Sequence, residues 1–329
     1  MIRPVIVLAL LAVALVVSAA AGIFVGAVGI APLDVIGALF GSADTNGTII
    51  RELRLPRVLG AVLVGGALGV AGALLQGLLR NPLADPFVTG TSAGATLAAV
   101  VAIALGAGAP LVPLAAFAGA LAAVTLVWRL ARLGGPTTVL TVLLAGVVLT
   151  SFAGAAVTFV LVSSDRLALR LRSVLGWLQG GVSVISWSEL AVAAAIVALG
   201  VVGALSLGHR VDAYAFGEET AATLGVDPQR TTRAVLATTA LLSGAAVALA
   251  GLVGFVGLVV PHALRFVIGA RHAGLVPASF LGGALVLVLA DLGARTVIAP
   301  GELPVGAITG IVGAPFFLAL LARSRRVVV

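Results

Sequence analysis

Charge is absent from eight long stretches of this chain: 4–33, 58–79, 86–128, 133–164, 190–208, 234–264, 272–290 and 303–322. A helix needs about 20 consecutive apolar residues to cross a bilayer. Most of these runs fit one crossing, and two do not. Residues 86–128 are too long for one span, and Gly106, Gly108, Pro110 and Pro113 break them into two. Residues 234–264 carry Gly251, Gly254 and Gly257 at three-residue intervals, which predicts two helices, the second short, joined by a tight glycine turn. The pattern therefore predicts an all-α integral membrane protein of about ten transmembrane helices in one transmembrane domain, 1–329. The first run is read as a retained span, because its apolar core exceeds the roughly 7–15 residues of a signal peptide.

Composition sharpens this picture. Hydrophobic residues make up 61% of the chain and charged residues 9%, so its solvent is lipid. Cysteine is absent, which excludes disulfides, thiolate metal sites and cysteine nucleophiles. His209, His262 and His272 are scattered and match no metal-ligand spacing, so no metal, cofactor or catalytic group is expected. All nineteen basic residues are arginine. Without a lysine there is no phosphate-binding P-loop, so ATP-driven work needs a partner. Arginine in place of lysine, with heavy Ala, Val and Gly usage, hints at a GC-rich bacterial genome. The net charge of +7 suits basic cytoplasmic loops better than a nucleic-acid surface, and no nucleic acid is expected.

Ten spans put both termini on one side of the membrane. That side holds twelve arginines and the other seven, so both termini are expected in the cytoplasm. A shift of 179 residues lays Arg51 and Arg54 on Arg230 and Arg233, and Gly65, Ala67, Ala71 and Gly72 on Gly244, Ala246, Ala250 and Gly251. Two five-span halves would then form an inverted repeat, although matches between Ala/Gly-rich helices also arise by chance.

Four places carry candidate chemistry. Between His209 and Arg233, residues Gly217–Gly225 read as a short helix. Glu218 and Glu219 sit in its first turn, Gly225 is its left-handed exit, and Asp227 with Pro228 starts the next helix. This is either a docking element or a plain connector. On the opposite face lie Arg51, Arg54 and Arg57, with Pro56 opening span 2 and Arg57 at its N-terminus, where a cation is disfavoured. With Arg295 they can receive the carboxylates of a partner or anchor to lipid headgroups. Residues Arg80–Pro86 form irregular backbone at the membrane edge, as a constriction or a simple turn. Asp291 lies inside span 9, one helical turn before Arg295. It is expected to pair with that arginine, or to carry protons. Segment 173–188, with Trp177 and Trp187, reads as interfacial.

Seven stretches in order resemble one family: FecCD-type permease subunits of type II ABC importers for iron–siderophore complexes, haem and cobalamin. They are Arg54–Arg57, Gln76–Pro86, Leu144–Gly146, Gly217–Glu219 with Leu224–Gly225, Gly254–His262 with Arg265, Ala290–Asp291 with Arg295, and Glu302–Gly306 with Gly313–Phe316. The resemblance implies a dimer of permease subunits in the bacterial cytoplasmic membrane with the pathway at its interface. It also implies ATP-binding cassette ATPase subunits on one side and an extracytoplasmic substrate-binding protein on the other. By position, Ala215, Phe216, Gly217, Glu218, Glu219, Leu224 and Gly225 would couple to the ATPase. Arg54, Arg57 and Arg295 would receive the binding protein. Asn81, Pro82 and Leu83, with Thr138 and Val139 of the loop before span 5, would form the cytoplasmic gate; Gly134–Thr138 match that loop poorly. The chain would not be an enzyme. The rival reading is an ion-coupled secondary transporter built around Asp291 and needing no ATPase.

Overall fold

The computed structural model describes residues 4–26, 30, 35, 37–38, 45–108, 110–133, 138–164, 171–182, 186–299 and 301–324. Arg3, Arg166, Arg170, Arg325, Arg326 and Thr137, which entered the arginine count or the expected gate, lie outside these residues. The helices in chain order are α1 (Pro4–Phe24), α2 (Leu55–Leu78), α3 (Thr91–Ala104), α4 (Leu111–Leu130), α5 (Val139–Ser163), α6 (Leu171–Leu178), α7 (Trp187–Tyr214), α8 (Glu218–Thr223), α9 (Pro228–Ala250), α10 (Val256–Ile268), α11 (His272–Thr296) and α12 (Val305–Ser324). Among the described residues, seven helices are long and apolar enough to cross a membrane, and three shorter apolar helices, in α3, α10 and α12, accompany them.

Breakers fall where the sequence puts them. α3 ends before Gly106, and α4 begins after Pro110. The glycine turn between α9 and α10 starts at Gly251, with φ of 63°, and ends at Phe255, with φ of 68°. Gly180 and Gly181 of the segment after α6 pack on this turn, where the Gly181 N–H donates to the Ala250 carbonyl at 2.8 Å. α7 opens on a capping box between Ser186 and Glu189.

One expectation fails at the start of α2. Residues Thr45–Thr48 form a turn of α-helix and Ile49–Arg54 a π-helical stretch that runs directly into Leu55. Pro56 therefore sits in a continuing helix, and Arg57 does not lie at a free N-terminus. The charged Arg51, Glu52 and Arg54 interrupt the hydropathy, which hides the helical lead-in from a reading based on apolar runs.

α2 is the centre of the bundle. It packs against α11, α9, α7 and α10, and eighteen of its 24 residues are buried. Small residues make this possible. Gly65 and Gly69 of α2 face the Gly283 and Ser279 carbonyls of α11, and Gly72 faces the Gly257 carbonyl of α10. Close approach of small-residue faces is how helices associate where lipid removes the hydrophobic drive. The outer helices reverse the pattern. Leu10, Val13, Val16 and Val17 of α1, Val147, Val148, Phe152 and Phe159 of α5, and Leu199 and Val202 of α7 are all exposed. In water this much exposed apolar area would be a liability; facing acyl chains, it is the expected surface.

Candidate functional site

At one end of α2, arginines and acids converge from four segments. Asp291 of α11 is 1% exposed; its carboxylate accepts from Arg57 Nε at 2.9 Å and forms an ion pair with Arg295 Nε at 3.1 Å, while that Nε donates to the Asp291 carbonyl at 3.4 Å. Arg57 Nη1 donates to both oxygens of Glu302, each at 3.0 Å. Arg295 reaches on to the Gly22 carbonyl of α1 through Nη2, at 3.1 Å. Arg54 donates from Nη1 to the Ile23 and Phe24 carbonyls, at 2.8 and 3.1 Å. The C-terminal carbonyls of a helix have no intrahelical partner, and these two arginines supply donors there. The structure thus brings Arg54, Arg57 and Arg295 together, but turns them inward. Arg54 and Arg295 are buried, and Arg57 is 16% exposed. The one-turn pair of Asp291 with Arg295 is as the sequence suggested. Its second partner, Arg57, lies 234 positions away and left no local signal.

At the other end of α2 the helix closes with Arg80 in the left-handed region, φ 48°. The Asn81 N–H donates to the Gln76 carbonyl and the Arg80 N–H to the Gly77 carbonyl, the two bonds of a Schellman closure. Asn81, Pro82 and Leu83 are exposed. The rest of the loop is anchored. Ala84 is buried in a cluster with Leu79, Val127 and Val142, and Val139 packs against that same cluster. The two loops expected to form the gate are therefore joined through one apolar contact surface. Thr138 caps α5, its hydroxyl accepting from the Thr141 N–H at 3.2 Å.

Asp85 closes the loop. Its carboxylate accepts from the Phe87 N–H at 2.8 Å and caps the 3₁₀ turn Pro86–Thr89. Burial pushes the Asp85 carboxyl up to about 6 from 3.8, against the pull of that hydrogen bond. Below about 4 the folded and unfolded chains are both protonated at this residue. Between about 4 and 6 only the folded chain keeps the proton, so stability falls as pH rises; above 6 the cost is complete, at most about 3 kcal/mol. Asp85→Asn keeps an acceptor for the Phe87 N–H and removes the charge. We expect it to raise the melting temperature at pH 7.5 and leave it unchanged at pH 4, measured by thermal shift in detergent.

Beside this loop stands α8. Gly217, with φ of 101°, precedes it, and Gly225, with φ of 81°, follows it. Asp227 caps α9 by accepting from the Arg230 N–H at 3.0 Å, with Pro228 in the first turn. Glu218 and Glu219 occupy the first turn of α8, as the sequence indicated. Ala215, Glu219 and Gly225 are exposed, and Phe216 and Leu224 present 74% and 64% of their surface. Only Ala221 points into the bundle core. A Cβ on Gly217 would meet Arg80 Nη1 at 3.7 Å, so α8 and the end of α2 are neighbours.

The sequence reading missed a third cluster nearby. His272 opens α11 and is buried between Gly77 of α2, where an added Cβ would lie 2.7 Å from the imidazole, and Gly208 of α7, where one would lie 3.1 Å from the His272 Cβ. Its Nδ1 lies 2.6 Å from Asp212 Oδ1 and its Nε2 3.1 Å from the Ala73 carbonyl, to which Arg265 Nη2 also donates. One ring thereby ties α7, α11 and α2, with α10 joined through Arg265. The sixty positions between His272 and Asp212 hide the pair, and the glycines that flank the ring were the only trace. Among the described residues no group of three or more His, Cys, Asp and Glu side chains is placed to hold a metal ion.

Comparison with known proteins supplies the context for these ends. The model of the FecCD transport family matches residues 10–323. The chain is 43% identical to the cobalamin import system permease protein BtuC of Halobacterium salinarum, over 88% of this chain and 77% of that one. It is 42% identical to the hemin transport system permease protein HmuU of Yersinia pestis, over 83% of each. A solved metal-chelate type ABC transporter in an inward-facing conformation superposes with a TM-score of 0.85 at 28% identity, covering 97% of this chain and 99% of that one.

Proposed function

The chain belongs to the FecCD transport family, and on that basis we propose that it is the membrane-spanning subunit of an ABC importer that moves a metal-chelate complex into the cytoplasm. It is a multi-pass transport permease. The seven long helices and three shorter apolar ones support ten spans, and the arginine excess on the side of the termini supports a cytoplasmic location for both. Iron–siderophore is the cargo we favour; the cobalamin and haem named for its relatives are the alternatives. A second permease subunit, a copy of this chain or a paralogue, completes the pathway, two ATPase subunits supply the energy, and a substrate-binding protein delivers the cargo from outside.

The observation that carries this reading is α8. A loop that only joins two spans does not need a helix with its own entry and exit glycines, and it does not need to expose Phe216 and Leu224. Those two side chains supply an apolar contact for an ATPase cleft, and Glu218 and Glu219 supply charge around it. Because Gly217 adjoins Arg80, a displacement of α8 is delivered at the end of α2, where Asn81–Leu83 begin. A partner shifts such an equilibrium only by binding its two states unequally. Replacing Glu218, Glu219 and Gly225 together should abolish co-purification of the ATPase subunits while the permease elutes as a folded bundle; undiminished co-purification would reject α8 as the contact.

The ion-coupled alternative is less well supported. Asp291 is held by two arginines and is 1% exposed, so its carboxylate serves as a joint between α2 and α11.

A further inference from the structure

Glu302 stands out within the charged end of the bundle. Among the described residues this end gathers Arg54, Arg57 and Arg295 with Asp291 and Glu302. Four of the five are fixed by buried partners: Asp291 by two arginines, Arg295 and Arg54 by carbonyls at the end of α1, and Arg57 by Asp291. Glu302 differs. Its side chain is 47% exposed, and both of its oxygens rest on a single nitrogen, Arg57 Nη1. This is not the two-nitrogen fork that makes arginine–carboxylate pairs strong. It sits on the connection between α11 and α12, beside Val297 and Ile298, which expose 68% and 50% of their surface. An exposed ion pair of this kind contributes little and exchanges readily, unlike the buried pair behind it.

We propose that Arg57 is a carboxylate-binding site occupied in cis by Glu302, and that an acidic side chain of the docking protein must displace Glu302 to bind there. This rests on the reading of this end as the surface that receives a substrate-binding protein. The site is complete in chemistry: a guanidinium whose Nε is immobilised by Asp291, and an Nη1 that already holds a half-exposed carboxylate. A carboxylate tethered a few residues from the site competes at an effective concentration of about millimolar or more. Glu302 therefore weakens docking. It also selects against weakly acidic partners, because only a well-placed carboxylate outcompetes the tethered one.

The test uses the permease with its ATPase subunits in nanodiscs of neutral lipid, titrated with the cognate substrate-binding protein, and with a fluorescent oligoglutamate peptide as a probe of the carboxylate site alone. Glu302→Gln removes the competitor's charge and is expected to tighten docking about three- to tenfold, chiefly through a faster on-rate with a steeper salt dependence. Glu302→Lys, which a structural role for the residue would make weaker, is expected to tighten it further. Unchanged or weaker docking in either variant overturns the proposal. Arg57→Lys separates the two readings, since it keeps a cation beside Asp291 and loses the fork. If it weakens docking while the Glu302 variants have no effect, the docking surface stands and the competition falls. If it changes nothing, the docking surface itself is wrong.

Discussion

Gly72→Val should leave no folded protein. A Cβ on Gly72 would lie 2.6 Å from the Gly257 carbonyl carbon and closer still to its oxygen. Those atoms are backbone at the start of α10, next to Gly254 and the turn that sets the direction of α10, so they cannot rotate aside. Overpacking a core costs about 1–3 kcal/mol where side chains can adjust, and more where they cannot. With a whole-protein stability of about 5–15 kcal/mol, the expected result is loss of the monodisperse peak in detergent size-exclusion chromatography. Gly69→Val meets the Ser279 carbonyl and should behave alike. Gly154→Ala and Gly310→Ala are the controls: nothing lies within 4 Å of either Cβ, and both should elute as the parent does. A monodisperse Gly72→Val protein would mean that α2 and α10 do not approach as described.

Asp291→Leu is the second large effect. It leaves the Arg57 and Arg295 guanidinium groups without the carboxylate they share, one of them at a residue 4% exposed. Removing one partner of a buried ion pair costs about 3–5 kcal/mol, because the remaining charge is uncompensated. We expect a melting temperature many degrees lower, and partial recovery in the Asp291→Leu, Arg57→Met double variant, where an apolar pair replaces an ionic one. Substitution at the same position separates the two transport mechanisms. In an ion-coupled carrier Asp291 would be a moving part, and Asp291→Asn would remove transport at unchanged stability. In an ATPase-driven permease the residue is a joint between α2 and α11, and stability falls with transport.

Local features were legible in the sequence and distant ones were not. The helix ends at Gly106, Pro110 and Gly251 and the capped start at Asp227 are written within a few residues of where they act, and the structure has them all. The same holds for the one-turn pair Asp291–Arg295. The pairs that join segments are different. Arg57–Asp291, His272–Asp212 and Gly72–Gly257 link positions 60 to 234 residues apart. Hydropathy shows that such groups exist but not whom they meet. The arginines illustrate the consequence. A cluster of outward charge suggested a surface, and packing then drew two of the three side chains inward to cap α1. The lead-in Thr45–Arg54 was hidden for a related reason, since its charges end the apolar run before its helix ends.

We propose that this chain supplies a route through the bilayer and takes its energy from nucleotide-hydrolysing partners. The direct measurement is uptake of radiolabelled iron–siderophore, haem and cobalamin into proteoliposomes holding the chain alone, with an imposed proton gradient, against proteoliposomes that also hold the ATPase subunits, the binding protein and ATP. Concentrative uptake of one cargo only in the complete, ATP-supplied system is the predicted result. Concentrative uptake by the chain alone on a proton gradient would contradict it.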